Sequence, residues 1–83
     1  MAEQQIGVIN EFFAHINVAG IDLSDTMRVG DTIHIKGHTT DFEQPVDSMQ
    51  IEHETVQEAK AGQAVGIKVK DRARRGDQVF KIT

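Results

Sequence analysis

The sequence predicts an all-β fold, a small closed barrel of short strands, from the spacing of its apolar residues and the position of its glycines. Apolar residues recur at every second position in several segments, as at Val65, Ile67 and Val69. This alternation is typical of strands with one buried face and one solvent-facing face. Short strands in so small a chain leave sheet edges exposed unless the sheet closes, so we expect closure.

The six predicted strands cover residues 5–13, 18–23, 31–37, 45–53, 64–70 and 78–82. In the first strand, Phe12 and Phe13 are adjacent and point to opposite faces, so we expect one in the core and the other at a rim or on the surface. The second strand alternates through Ala19, Ile21 and Leu23. Residues 55–60 have the only helical composition, but six residues are too few for a stable helix, so we interpret them as a turn or a single helical turn.

Three glycines mark the entries to predicted strands. The triplets VGD, AGQ and RGD place Gly30, Gly62 and Gly76 between a preceding residue and a polar one, just before an apolar stretch. Glycine adopts a positive φ without steric cost, which tight turns and glycine bulges require. The repeated pattern predicts short connections.

The chain of 83 residues is long enough for one domain, residues 1–83, and has a net charge of −4. It contains no cysteine, which excludes disulfides and thiolate zinc sites. It shows no secretory signal pattern and no apolar run long enough to span a bilayer, so we expect a cytoplasmic protein that binds no membrane.

Catalytic and cofactor motifs are absent from the sequence, so we expect a protein that is not an enzyme. Neither Ser24 nor Ser48 lies in a nucleophile motif, and no phosphate-binding loop is present, so the chain alone should not hydrolyse nucleotides. His34, His38 and Asp41 are close enough in sequence to converge on a metal, but nothing requires it. We favour surface and turn positions for these three and expect no metal and no cofactor.

Charge is divided sharply along the chain. Residues 1–59 have a net charge of −9 and residues 60–83 a net charge of +5. A basic segment forms the candidate binding surface, in which the lysines alternate with buried positions: Lys68, Lys70, Arg72, Arg74 and Arg75. These side chains either contact successive phosphates or face an acidic neighbour such as Glu52 and Glu54 in cross-strand pairs.

The sequence resembles the second domain of translational GTPases such as elongation factor Tu. The residues that carry this resemblance are MRVGDTIHI at 27–35, VDSMQ at 46–50, residues 56–62 with VGI at 65–67, and RGDQV at 75–79. More closely, IKGHTTDF at 35–42 and SMQIEH at 48–53 resemble stand-alone translation elongation factor-like proteins and a tail domain of collagenase-like peptidases. The resemblance implies a six-stranded closed Greek-key barrel.

In that family Gln50 and His53 correspond to a glutamate and an arginine at the site for the aminoacyl end of transfer RNA. We therefore expect a non-enzymatic binding module that contacts tRNA, rRNA or a ribonucleoprotein in translation, with the basic segment on phosphates and these two residues on a nucleotide edge. The alternative is a protein-interaction module that docks onto a larger enzyme such as a collagenase-like peptidase, and under either interpretation we expect a monomer. A third interpretation is a barrel derived from a GTPase with little function of its own.

Overall fold

The computed structural model describes residues 2–83, which form strands, turns and loops and no helix. In chain order the strands are β1 (Glu3–Phe13), β2 (Val18–Leu23), β3 (Met27–Arg28), β4 (Thr32–Lys36), β5 (Asp41–Pro45), β6 (Met49–Ile51), β7 (Glu54–Val56), β8 (Glu58–Ala59), β9 (Ala64–Lys68) and β10 (Gln78–Ile82). The expected all-β class is confirmed. Nothing in this part of the chain is a helix long and apolar enough to cross a membrane.

The strands form an open sheet, so the expected closed six-stranded barrel is wrong. Eight strands pair in the order β5-β4-β10-β1-β2-β9-β6-β7, and β3 pairs separately with β8. Every pairing is antiparallel. The outer strands β5 and β7 do not pair with each other, so the backbone ladder has two edges.

On the outer side of β5, where no strand pairs, the side chain of Gln44 forms hydrogen bonds with the backbone of residues 68 and 70. The Gln44 Nε2 donates a hydrogen bond to the carbonyl oxygen of Lys68 at 2.9 Å, and the Lys70 amide donates to Gln44 Oε1 at 2.8 Å. These two bonds imitate one step of strand pairing, but they end there because Pro45 follows and has no N–H to donate. The sheet therefore curls towards closure, and a single amide side chain bridges the gap that backbone pairing leaves.

The core contains the alternating apolar positions that the sequence predicts in β2, β4 and β9, together with residues that no alternation marks. The largest completely buried side chains come from β1, β2, β3, β4, β6, β9, β10 and the segment after β5, and they are Ile6, Ile9, Ile21, Met27, Ile33, Ile35, Met49, Ile67, Val46 and Val79. Phe12 packs against this core, whereas Phe13 is 46% exposed. The opposite placement of the two phenylalanines is thus confirmed.

Three turns share one geometry, which confirms the interpretation of the glycine triplets. Gly30, Gly62 and Gly76 have φ values of 100°, 89° and 93°. In each turn the backbone amide of the residue after the glycine donates a hydrogen bond to the carbonyl oxygen of the residue two positions before the glycine. The amide of that earlier residue in turn donates a hydrogen bond to the side-chain oxygen of the residue after the glycine. The bonds of the third turn join Asp77 and Arg74, at 3.0 Å and 2.8 Å.

Two segments differ from the predicted strands. Residues 41–45 form β5, of which only Pro45 lies within a predicted strand. The predicted strand 45–53 is interrupted after Pro45, resumes as β6 and ends in a turn at Glu52 and His53. Residues 55–60 are extended, in β7 and β8, and not a helical turn. In both regions short backbone pairings outweigh the weak local preference of the sequence.

Candidate functional site

The outer face of β1, β2, β9 and β6 brings together residues that are distant in sequence. The strand register places Phe13, Val18 and Lys68 in one row across β1, β2 and β9. The next row contains Gly20 and Gly66, which pair directly, followed by Gln50 on β6. Directly opposed residues of antiparallel strands point to the same face, so the rows form one surface.

A groove of about 420 Å³ lies on this surface, with the paired glycines as part of its floor. Gly20 and Gly66 have no side chains to fill the space above the sheet. A Cβ at Gly20 would lie 2.5 Å from Asn10 Oδ1, whereas one at Gly66 would meet only Val18 Cγ1, at 3.5 Å. The missing side chain of Gly66 therefore leaves a depression beside Val18, whereas the Asn10 side chain occupies the space above Gly20. We call this depression the glycine groove.

One wall of the glycine groove is apolar and unusually exposed. Phe13, at the end of β1, is 46% exposed, and Ile16, in the turn between β1 and β2, is 59% exposed. Both line the groove, as does Val18. Exposed large apolar side chains that gather at a concave site are typical of binding surfaces. The sequence predicts that one of Phe12 and Phe13 lies at a rim or on the surface without distinguishing which, and it gives no signal for Ile16, whose turn carries no apolar alternation.

The opposite wall is polar and comes from the turn between β6 and β7. Glu52 and His53 adopt φ values of 51° and 68°, a conformation that non-glycine residues rarely take in succession. Their side chains line the groove together with Gln50. Two of the predicted site residues, Gln50 and His53, thus lie together in the same groove as Phe13 and Ile16.

The basic segment adjoins the groove but does not enter it. Lys68 is the last residue of β9, beside Val18, and the other four members lie in the loop that follows. All five are exposed: Lys68, Lys70, Arg72, Arg74 and Arg75. Between residues 2 and 83 none of them forms an ion pair, and Glu52 and Glu54 pair with no cation. The alternative in which this segment pairs across strands with those glutamates is therefore wrong.

A second polar cluster lies on a different part of the sheet, around His34 of β4. The side chain of His34 is 11% exposed, with Nδ1 at 2.9 Å from Glu3 Oε2 and Nε2 hydrogen-bonded to Asp41. The Asp41 hydrogen bond raises the pKa of His34, although burial lowers it, and the contact with Glu3 raises the pKa further. Of the trio in the sequence analysis, His34 and Asp41 meet and the exposed His38 does not join them.

Comparison with known proteins relates the chain to peptidases. No family model matches it. It is 43% identical over 79 residues to an uncharacterized protease of Methanocaldococcus jannaschii, covering 94% of this chain and 19% of that protein. It is 33% identical over 74 residues to a collagenase of Porphyromonas gingivalis, covering 87% of this chain and 20% of that protein. The chain thus spans about a fifth of the length of the curated relatives it matches.

The fold has a close counterpart among solved structures. The C-terminal domain of a Geobacillus thermoleovorans protein assigned to the U32 peptidases superposes with a TM-score of 0.90 and 19% identity, covering 96% of this chain and 93% of that one. A selenomethionine variant of the same domain gives a TM-score of 0.87. At this level of identity the likeness concerns the fold alone.

These findings confirm the resemblance to collagenase-like peptidases and overturn the identification as a translation factor. The relatives found are a protease and a collagenase, and the similar structure is a peptidase domain. The expectation of an RNA-binding protein of translation, which depended on that identification, is therefore corrected. The glycine groove and the basic segment are features of the structure, but the relatives give no support for interpreting either of them as a nucleic-acid site.

Proposed function

We propose that the chain is a non-catalytic docking module that binds the catalytic part of a collagenase-like peptidase through the glycine groove. The observation that carries the proposal is the exposed pair Phe13 and Ile16 on a concave surface of the sheet. Apolar side chains of this size, exposed beside accessible backbone, are typical of the buried centre of a protein interface.

The relatives support this choice of partner. In the archaeal protease and the bacterial collagenase the matched segment is about a fifth of the protein, so most of each relative lies outside it. A small domain attached to a larger enzyme needs a contact surface with it, and domain interfaces resemble those of transient protein complexes.

The chemistry of the groove supports binding over catalysis. Its lining contains no serine, threonine or cysteine from the described part of the chain, and its titratable side chains are Glu52 and His53. A shallow groove with an apolar wall and no nucleophile is suited to seating a partner's side chains. The neighbouring unpaired basic segment adds charge that an acidic surface of the peptidase would complement, which raises association rates and selects the orientation.

The test mixes this chain with the Methanocaldococcus jannaschii relative from which the matched segment has been deleted, and measures binding by calorimetry. We expect a complex that Phe13→Ser and Ile16→Ser each weaken about tenfold or more, the effect of losing an interface side chain worth over 1.4 kcal/mol.

Val8→Ser is the matched control. Val8 is also an exposed apolar residue of β1, at 37%, but it lies outside the groove, so binding should not change. The proposal fails if no complex forms with the truncated peptidase. It also fails if Val8→Ser weakens the complex as much as the groove variants, because the contact would then be nonspecific.

A further inference from the structure

The cluster around His34 contains the elements of a metal site. We propose that His34, Glu3 and Glu43 bind a divalent cation of the zinc class. One potential ligand atom from each of these three side chains lies within 4.8 Å of the other two. An imidazole nitrogen with two carboxylate oxygens is a donor set that zinc and related borderline cations accept.

The three ligands come from different strands of a rigid sheet. His34 of β4 pairs directly with Glu43 of β5, so both side chains project from the same face. Glu3 reaches the imidazole from β1, and its Oε2 is 2.9 Å from Nδ1. In tetrahedral zinc sites ligand atoms at about 2.1 Å from the metal are roughly 3.4 Å apart. Glu3 and Glu43 are exposed, so no core packing holds their carboxylates in the present rotamers.

Asp41 acts as a positioning residue for the histidine. Its Oδ1 accepts a hydrogen bond from His34 Nε2, which keeps the proton on that nitrogen. Nδ1, which faces Glu3, is then the nitrogen that donates a lone pair when a metal replaces its proton. A carboxylate that holds the far side of a ligating imidazole fixes the ring and increases its basicity, and it is a regular feature of metal sites.

The charges around His34 also favour a cation. Three carboxylates, those of Glu3, Asp41 and Glu43, surround a single imidazole. Lys36 lies opposite Asp41 in the register of β4 and β5, but within residues 2–83 it forms no ion pair with it. A proton on His34 compensates one of the three negative charges, whereas a divalent cation compensates two.

The proposed site is separate from the glycine groove, because none of the four side chains lines it. The two proposals therefore stand or fall independently. A chain that docks to no peptidase can still bind the metal, and a chain that binds no metal can still dock.

The test titrates zinc into the chain at neutral pH by calorimetry and records the visible absorption of the cobalt complex. We expect one zinc per chain. Asp41→Asn should weaken zinc binding by about 10- to 100-fold, the usual effect of removing a partner behind a ligating histidine. Glu43→Gln and Glu3→Gln, at exposed positions that the fold tolerates, should weaken it at least as much and alter the cobalt spectrum.

His38→Asn is the matched control, since His38 lies near the cluster in sequence but outside it. Its zinc affinity should equal that of the unchanged chain. The proposal is overturned if the unchanged chain binds no zinc, which would leave His34 as a hydrogen-bonded bridge between carboxylates. It is equally overturned if zinc binding survives both Glu3→Gln and Glu43→Gln, or if it is lost in His38→Asn, because the metal would then sit elsewhere.

Discussion

Replacing Gln44 with methionine should remove the hydrogen bonds that connect β5 to Lys68 and Lys70 across the open side of the sheet. Methionine has nearly the same length and volume, so the packing of this buried position is retained while both hydrogen-bonding groups are removed. The carbonyl oxygen of Lys68 loses a donor at 2.9 Å, and the amide of Lys70 loses an acceptor at 2.8 Å. The substitution thus tests whether one side chain does the work of a strand pairing.

The expected loss follows from the two bonds. A hydrogen bond contributes about 1 kcal/mol net to stability, so Gln44→Met should lower the free energy of unfolding by about 2 kcal/mol. For a domain of this size, that corresponds to a fall in Tm of roughly 8 to 16 °C. The long contact of Gln44 with the carbonyl of Pro45, at 3.3 Å, is too poor in geometry to add much.

Urea denaturation followed by circular dichroism measures the global loss, and hydrogen exchange of the Lys70 amide measures the local one. Gln5→Met is the matched control, because Gln5 is exposed on β1 and its side chain makes no hydrogen bond within the described residues. We expect Lys70 to exchange faster only in the Gln44 variant. Equal stability of the two variants, or unchanged protection of Lys70, would refute the bridging role.

Three further variants test the turns by urea denaturation. Gly37→Ala should cost about 1 to 3 kcal/mol, because its Cβ would overlap the Asp77 carboxylate; a neutral result would mean that this close approach is absent in solution. Gly30→Ala, at φ 100°, should cost about 1 to 2 kcal/mol although a Cβ there meets nothing within 4 Å, and a loss near zero would contradict a backbone origin. Glu52→Asn combined with His53→Gly should stabilise the chain by about 1 kcal/mol, and a destabilised variant would show that the turn is not strained.

The predictable part of the fold is the part that local chemistry determines. Three turns are predictable because glycine adopts a positive φ without steric cost; they contain Gly30, Gly62 and Gly76. The alternation of Val65, Ile67 and Val69 identifies their buried face, since β-strand side chains alternate between faces. These features depend on residues close in sequence and need no knowledge of the partner strand.

The missed elements depend on contacts between distant residues. In β5 the inward positions are Phe42 and Gln44, and the buried amide interrupts the apolar alternation that would have revealed the strand. The turn at Glu52 and His53 lacks glycine, so nothing in its sequence signals positive φ. The groove itself requires Gly20 to lie opposite Gly66, which only the register of two strands determines.

The identification as a translation factor failed for a related reason, whereas the alternative of a module associated with a collagenase-like peptidase agrees with the relatives. The segments that resemble translational GTPases include the turns at Gly30 and Gly76, where glycine and aspartate are needed for backbone geometry. Residues required for a fold are shared by proteins of different function on that fold. The distinguishing information lies in the relatives and in the surface, where Ile16 gives no recognisable pattern in sequence.

The open edges of the sheet have a consequence for how copies of this protein behave beside one another. An unpaired outer strand presents free amides and carbonyls that a second molecule can extend into a continuous intermolecular ladder. The outer strands here bear Asp41, Glu43 and Pro45 on β5 and Glu54 on β7. Two such strands approaching edge to edge bring like charges together, and the proline interrupts the ladder. Part of the negative charge of the first two thirds of the chain therefore lies on the two edge strands, where it should oppose the edge-to-edge pairing of two copies.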